Sequence, residues 1–192
     1  MFKRKYIIVL IAVFTICYFV APGIVSLKAA EVEKGKIPAE HMAKTAKSLP
    51  WGGLVWDIDE AVTQLKSKEK ALWVDTRPES FFKKGTVRDA VLMPYNKTGS
   101  KGNDLTKEGL EASLASIGLP KKDAEIIFFC QGPKCHRSYN AAFVAVTEWG
   151  FSPENIIWFR EGYPNLFKAV KDNAKLKRKA KKYICDAGMK QL

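Results

Sequence analysis

Short apolar runs alternate with amphipathic segments along most of the chain. The runs predict four strands, at 71–75, 91–93, 125–129 and 156–159. Apolar residues at helical spacing predict helices at 57–68, 106–118, 138–149 and from about 165, with a shorter helix near 39–48. Strands that are apolar without alternation are buried on both faces. The order of elements therefore predicts an α/β fold, a single domain with a parallel sheet and helices on both faces.

Residues 1–30 have the layout of a secretory signal. Three cations at 3–5 precede an uncharged stretch at 6–21, and two small residues follow at Ala29 and Ala30. Cleavage would remove this segment, whereas retention would leave a membrane anchor of about 20 residues with a cytoplasmic N-terminus. Both alternatives predict export, to the bacterial periplasm or to the periplasmic face of the inner membrane. Only the uncleaved segment would contact the membrane.

The formal net charge of +12 is concentrated at the two ends of the chain. Residues 1–30 hold four cations and no acid, and residues 168–192 hold nine cations and two acids. The remaining 137 residues carry 19 basic and 18 acidic side chains, so we expect no nucleic-acid partner. The predicted organisation has four parts: a signal or anchor at 1–30, a leader at 31–56, the domain at 57–167 and a basic helix or tail at 168–192.

One strand–loop–helix segment carries the candidate chemistry. Cys130 ends a predicted strand, and Cys135 lies further along the same loop. The other residues of this candidate active-site loop are Gln131, Gly132, Pro133, Lys134, His136, Arg137 and Ser138. In such folds the site lies beyond the carboxyl ends of the strands, where backbone N–H groups, a helix N-terminus and nearby cations would favour a thiolate at Cys130. Alternatively, Cys130 packs as a small apolar residue.

The remaining cysteines do not suggest a disulfide framework. Cys17 lies in the apolar N-terminal stretch, which leaves Cys130, Cys135 and Cys185 as an odd set in an exported domain. At least one thiol is therefore free or reactive. Cys130, Cys135 and His136 crowd one loop without a fourth ligand, so the sequence predicts no metal site.

The order of these motifs resembles the rhodanese-like sulfurtransferase family over residues 57–167. The family's opening pattern is matched by Trp73–Val74–Asp75–Thr76–Arg77, Phe82, Gly85, Val87, Ala90–Val91 and Met93–Pro94. The strand at 126–129 and Cys130 are similar to the strand that delivers the family's nucleophilic cysteine. Two later segments are similar to the helix behind the active site and to the late strand with its glycine: Arg137–Ser138 with Ala141–Ala142, and Ile157 to Gly162.

The loop also departs from the family pattern. Arg137 comes seven positions after Cys130, where rhodaneses usually have five and the related cell-cycle phosphatases six. Pro133 removes one backbone N–H donor, and Cys135 adds a second thiol. Glu161 stands where the family usually has a first glycine. Since the length of the loop sets what fits over the thiolate, these differences affect the substrate more than the fold.

The resemblance implies a sulfurtransferase. Cys130 would attack the outer sulfur of a small donor such as thiosulfate or a persulfide, and Arg137 would help to hold the resulting persulfide. Asp75 and Arg77 would mainly support the loop. The acceptor would be cyanide-like or a thiol, including a protein thiol, and no metal or organic cofactor is expected.

Two other functions remain open. The first is a thiol redox module that uses a Cys130–Cys135 pair, either directly or with Cys135 resolving a persulfide or sulfenic acid on Cys130. The second is a non-catalytic binding domain on the same fold, because a fold does not fix a function. A persulfide on Cys130, a disulfide between the two loop cysteines, or neither would distinguish the three hypotheses.

Overall fold

The computed structural model describes residues 32–96, 103–120 and 124–185, and seven strands lie within them. They are β1 (Leu54–Trp56), β2 (Leu72–Asp75), β3 (Thr86–Val87), β4 (Val91–Leu92), β5 (Ile126–Phe129), β6 (Ile156–Phe159) and β7 (Ile184–Cys185). The main sheet has the order β1-β6-β5-β2-β4, and all its neighbouring strands are parallel. A separate antiparallel pair joins β3 and β7. The predicted α/β fold with a parallel sheet is confirmed.

Helices cover both faces of the main sheet. The helices are α1 (Ala39–Met42), α2 (Ile58–Lys66), α3 (Glu79–Phe82), α4 (Lys107–Ser116), α5 (His136–Thr147), α6 (Gly162–Asp172) and α7 (Ala174–Lys177). Ile126 and Phe128 of β5 are buried in a cluster with residues of α4 and α5. Ile127 and Phe129 point the other way, into a cluster with residues of α2 and α6. Each strand of the sheet centre is therefore buried at every position.

Local signals set the ends of several helices. The Asp57 side chain accepts from the backbone of α2, and Glu60 accepts the N–H of Asp57 at 3.0 Å, which forms a capping box. Thr106 caps α4 by accepting the Gly109 N–H at 3.0 Å. The helix predicted near 39–48 is much shorter, because Ala43 is extended and the Lys47 carbonyl accepts the Val55 N–H at 3.0 Å. The end of the leader thus pairs with β1, the edge strand of the main sheet.

The register of the sheet brings two strand ends together. Asp75 at the end of β2 lies beside Phe129 at the end of β5. The Thr76 N–H continues this pairing by donating to the Phe129 carbonyl at 3.1 Å. The segments that leave β2 and β5 are therefore neighbours at the carboxyl edge of the sheet, where a site is expected in this class of fold.

The basic C-terminal region contributes to the core. Helix α6 runs through the predicted boundary at 167 and ends at Asp172. Leu176, Ala180 and Ile184 are buried in the cluster that covers α2 and α6. The predicted signal or anchor at 1–30 lies outside the described residues. Within residues 32–96, 103–120 and 124–185, no helix is long and apolar enough to cross a membrane.

Candidate active site

Cys130 directly follows β5, which lies between β6 and β2 in the sheet. Its backbone carbonyl accepts the Tyr163 N–H at 2.9 Å, which fixes the strand end against the start of α6. The residue is 1% exposed and lines a pocket at this edge of the sheet. Cys130 therefore lies at the end of a buried strand and in the wall of the pocket.

Cys130 and Cys135 form a disulfide in this structure. Their Cα atoms are 6.1 Å apart, inside the range of about 4.4–6.8 Å that bridged cysteines adopt. The loop folds back through a tight turn in which the Cys135 N–H donates to the Gly132 carbonyl at 2.9 Å. Cys185 lies elsewhere, in β7 opposite Thr86. Gly132 and Pro133 thus provide the turn that brings the two loop thiols together.

The two sulfur atoms differ in their accessibility. Cys130 is almost completely buried, whereas Cys135 is half-buried and occupies the N-cap position of α5. Cys135 is therefore the more accessible of the two bonded cysteines to an external reagent.

Helix α5 begins earlier than the sequence predicts. His136, Arg137 and Ser138 form its first turn instead of completing the loop. The predicted start at 138 is two residues late, because Cys135 already has the extended conformation of an N-cap. Ser138 is buried and accepts the indole N–H of Trp158 at 3.2 Å, so it faces the protein interior.

A pocket of about 590 Å³ lies over the disulfide. Every residue from Cys130 to Arg137 lines it, together with three residues that the motif analysis did not select: Lys34, Pro78 and Phe81. Lys34, Lys134 and Arg137 bring positive charge, and among the described residues no Asp or Glu lines the pocket. Within the described ranges, no group of three His, Cys, Asp or Glu side chains could hold a metal ion. The pocket therefore suits an anion.

Arg137 is anchored to the loop that follows β4. Its Nη1 donates to the Tyr95 carbonyl at 2.7 Å. Burial lowers the pKa of the Arg137 guanidinium from its ordinary value, because the charged form loses solvation. Arginine is effectively always protonated in proteins, so the side chain keeps its charge at neutral pH. The contact uses one of five N–H donors, and the residue lines the pocket with a fixed positive charge.

Asp75 and Arg77 form a buried ion pair beneath the loop. Arg77 donates from Nε to Asp75 Oδ1 at 2.9 Å and from Nη2 to Oδ2 at 2.6 Å. Nη2 also donates to the Gly85 carbonyl at 2.6 Å, and Thr86 donates its hydroxyl to Asp75 at 2.8 Å. The guanidinium carbon lies 4.6 Å from the centre of the Tyr163 ring. This network connects β2, β3 and α6, and neither member of the pair lines the cysteine pocket.

Gly162 packs directly against the backbone of the loop that begins at Cys130. It has a φ of +71°, and a Cβ there would lie 2.5 Å from the Gly132 nitrogen and 2.6 Å from the Cys130 carbonyl oxygen. Only glycine allows both this backbone conformation and such a close approach. The sequence match included Gly162 in the late motif, but its contact with the loop depends on the packing of α6 against β5.

Three comparisons place this geometry among known proteins. The family model of the rhodanese-like domain matches residues 58–169. Comparison with curated protein sequences finds no match. Among solved structures, Saccharomyces cerevisiae Ygr203w, described as a homolog of single-domain rhodanese and of the Cdc25 phosphatase catalytic domain, is 14% identical with a TM-score of 0.50. The match covers 69% of this chain and 87% of the yeast chain.

Two further solved structures resemble the chain. The As-Sb reductase from Leishmania major is 20% identical with a TM-score of 0.46, over 62% of this chain and 80% of its own. The rhodanese-like domain of Anabaena Alr3790 is 19% identical with a TM-score of 0.39, over 60% and 73%. At these identities the structural likeness concerns the fold alone. Since the family model covers more than half of its length, the chain belongs to the rhodanese-like domain family.

Proposed function

We propose that this chain is a sulfurtransferase that carries a sulfane sulfur as a persulfide on Cys130. The observation that supports this most is the place of Cys130 at the end of the buried strand β5, beside a pocket whose described lining residues include cations and no acid. Such a pocket attracts anionic sulfur donors, among which thiosulfate is the simplest. Lys34, Lys134 and Arg137 supply the positive charge.

The reaction begins once the disulfide has been reduced. The Cys130 thiolate attacks the outer sulfur of thiosulfate, a new S–S bond forms, and sulfite leaves with the electron pair of the broken bond. A thiolate or cyanide then attacks the outer sulfur of the persulfide. Cys130 leaves as a thiolate, and the product is a new persulfide or thiocyanate. Each step breaks one sulfur–sulfur bond and forms one new bond to the transferred sulfur, so no cofactor enters the scheme.

Intact-mass analysis tests this proposal directly. The reduced full-length protein is treated with thiosulfate, and we expect the mass of one added sulfur atom on the peptide that contains Cys130. Cyanide should remove the added sulfur. The unreduced protein is the control, since its Cys130 sulfur is bonded to Cys135 and should take up none. If the reduced protein gains no sulfur and exchanges no disulfide, a non-catalytic binding domain becomes the better hypothesis.

Thiol–disulfide exchange is the second candidate function, and the Cys130–Cys135 disulfide favours it. The Cys135 thiolate can attack the inner sulfur of a persulfide on Cys130. This step forms the disulfide and releases hydrosulfide, which carries away the outer sulfur and its proton. Cys135 can resolve a sulfenic acid on Cys130 in the same manner, with water as the leaving group. Both routes end in the Cys130–Cys135 disulfide, which the geometry of the loop allows.

A Cys135→Ser variant separates these two roles of the loop. We expect it to form the Cys130 persulfide from thiosulfate, because Cys130 keeps its position after β5. After peroxide, however, its sulfur-transfer activity should fail to return on thiol treatment, since no neighbouring thiol can trap the oxidised Cys130 as a disulfide. The measurement is the activity recovered from matched samples of wild type and variant.

Cys185→Ala is the matched control, because it removes a thiol that lies in β7 and outside the loop. It should recover activity as the wild type does. Equal recovery in wild type and Cys135→Ser would remove the protective role of Cys135. Complete failure of Cys135→Ser to take up sulfur would mean that Cys130 is not the sole nucleophile.

Export is part of the proposal and rests on residues 1–30. Their basic start, uncharged stretch and small residues form a secretory signal or anchor. A phosphatase reporter that is active only outside the cytoplasm, fused to the C-terminus, should be active in cells. The same fusion without residues 1–30 should be inactive. A full-length fusion that remains inactive, although it is expressed, would contradict export.

A further inference from the structure

A second groove adjoins the cysteine pocket between α3 and α6. It has a volume of about 320 Å³ and shares Phe81 and Gln131 with the pocket over the disulfide. Its apolar lining comes from Phe81, Tyr163, Pro164 and Phe167, and two cationic residues, Arg77 and Lys84, also line it. We call it the aromatic groove. Because the two depressions share lining residues, a ligand in the aromatic groove can extend to the cysteines.

The aromatic groove combines exposed apolar surface with positive charge. Phe81 is 40% exposed, the one large apolar side chain of the described residues with such exposure. Lys84 Nζ lies 5.9 Å from the centre of the Phe81 ring, and Lys171 Nζ lies 5.2 Å from that of Phe167. Within the part of the chain that the structure describes, no Asp or Glu lines the groove or the cysteine pocket. An occupant that carries both apolar and acidic side chains complements this surface.

Reduction of the disulfide begins at the more exposed of its two cysteines. Cys130 is 1% exposed, so an incoming thiolate attacks the half-buried Cys135 sulfur. A bond forms between that sulfur and the reductant, and Cys130 leaves as a thiolate next to Arg137 and Lys134. A second thiolate of the reductant then attacks the mixed disulfide and releases Cys135. The dithiol is oxidised to a disulfide, and its two electrons reduce the Cys130–Cys135 disulfide to two thiols.

We propose that the aromatic groove docks an acidic, apolar segment of a protein dithiol that reduces the Cys130–Cys135 disulfide. The proposal rests on the proposed function in taking the reduced loop as the form that accepts sulfur. A small dithiol needs only the Cys135 sulfur, whereas the exposed aromatic surface beside it provides a contact that only a larger partner can use. The lysines select the sign of the partner's charge and speed its association.

The test compares two synthetic peptide dithiols of equal length. Both contain a Cys-x-x-Cys pair and leucines, and one is flanked by Asp and Glu while the other is flanked by Lys. The rate of reduction of the disulfide in the full chain is measured for each peptide at low salt, with dithiothreitol as the reference. We expect the acidic peptide to react about tenfold faster than the basic one, and the difference to shrink at high salt.

Lys84→Glu probes the groove itself. We expect this variant to lower the ratio of the acidic-peptide rate to the dithiothreitol rate by about tenfold, since it places a carboxylate beside Phe81. Lys68→Glu is the matched control, because Lys68 is exposed and lies before β2, at the opposite edge of the sheet. It makes the same change in net charge and should leave the ratio near that of wild type.

Three results would overturn the docking proposal. The first is an equal rate of reduction by the two peptides. The second is an unchanged ratio of the acidic-peptide rate to the dithiothreitol rate in Lys84→Glu. The third is a wild-type dimer that Lys84→Glu dissociates, because the groove would then hold a second copy of this chain. The reduction is measured without a sulfur donor. Failure of docking is therefore seen separately from failure of sulfur uptake, which the mass measurement with thiosulfate reports.

Discussion

Cys130→Ser is expected to reduce sulfur transfer from thiosulfate by at least about 10³-fold, to the level without protein. A serine hydroxyl is not ionised at neutral pH, so the end of β5 would lack a nucleophile that can form a persulfide. Transfer to cyanide is measured as thiocyanate, and sulfur uptake as the mass of the reduced protein. The variant should show neither product.

Cys135→Ser and Cys185→Ala provide the controls for this substitution, since each removes one other described thiol. Both should still accept sulfur after reduction. Persistent sulfur uptake by Cys130→Ser would transfer the role of nucleophile to Cys135, the more exposed thiol at the N-cap of α5. The sulfur atom that carries the transferred sulfur would then belong to Cys135 and not to Cys130 at the end of β5.

Asp75→Asn is expected to lower the free energy of unfolding by about 3–5 kcal/mol, as the loss of one partner from a buried ion pair does. The substitution keeps the shape of the side chain but leaves the Arg77 charge buried without its carboxylate. The bonds from Arg77 and from the Thr86 hydroxyl to this carboxylate would weaken together. Urea unfolding, monitored by tryptophan fluorescence, gives the change.

Glu79→Gln is the matched control, because Glu79 also pairs with a cation but in solvent. Its partner is Lys83 at 2.8 Å, and the two side chains are 62% and 69% exposed. Exposed pairs of this kind contribute little, so we expect a change below about 0.5 kcal/mol. Similar losses in the two variants would show that the Asp75–Arg77 pair does not hold β2, β3 and α6 together.

The apolar runs predicted the strands that build the centre of the sheet. β2, β5 and β6 are buried at every position, and such runs can be identified without knowledge of their partners. β1, β3 and β7 have three residues or fewer and are defined by the strands they pair with. A pattern of two or three residues carries little periodicity. β4 is as short, but its apolar run at 91–93 could be identified because it stops at Pro94.

The site was predictable only where its residues are close in sequence. Cys130, Cys135 and Arg137 share one loop and helix start, so their spacing suggested a common site. Lys34 and Phe81 reach the same pocket through the packing of the leader and of α3, which no local pattern records. Phe81 follows β2, however, and the general rule on strand ends could have placed it near the site.

The pairing of β3 with β7 determines the order in which a growing chain can complete its fold. A nascent chain that has emerged through residue 169, where the family match ends, contains all five strands of the main sheet but lacks β7. Thr86 then has no strand opposite it, and the Tyr163 hydroxyl lacks the Cys185 carbonyl, to which it donates at 2.6 Å. Since chains fold as they are synthesised from the N-terminus, the main sheet can assemble early. The contacts that β7 makes with β3 and with Tyr163, next to the Asp75–Arg77 pair, therefore form last, after β7 has been translated.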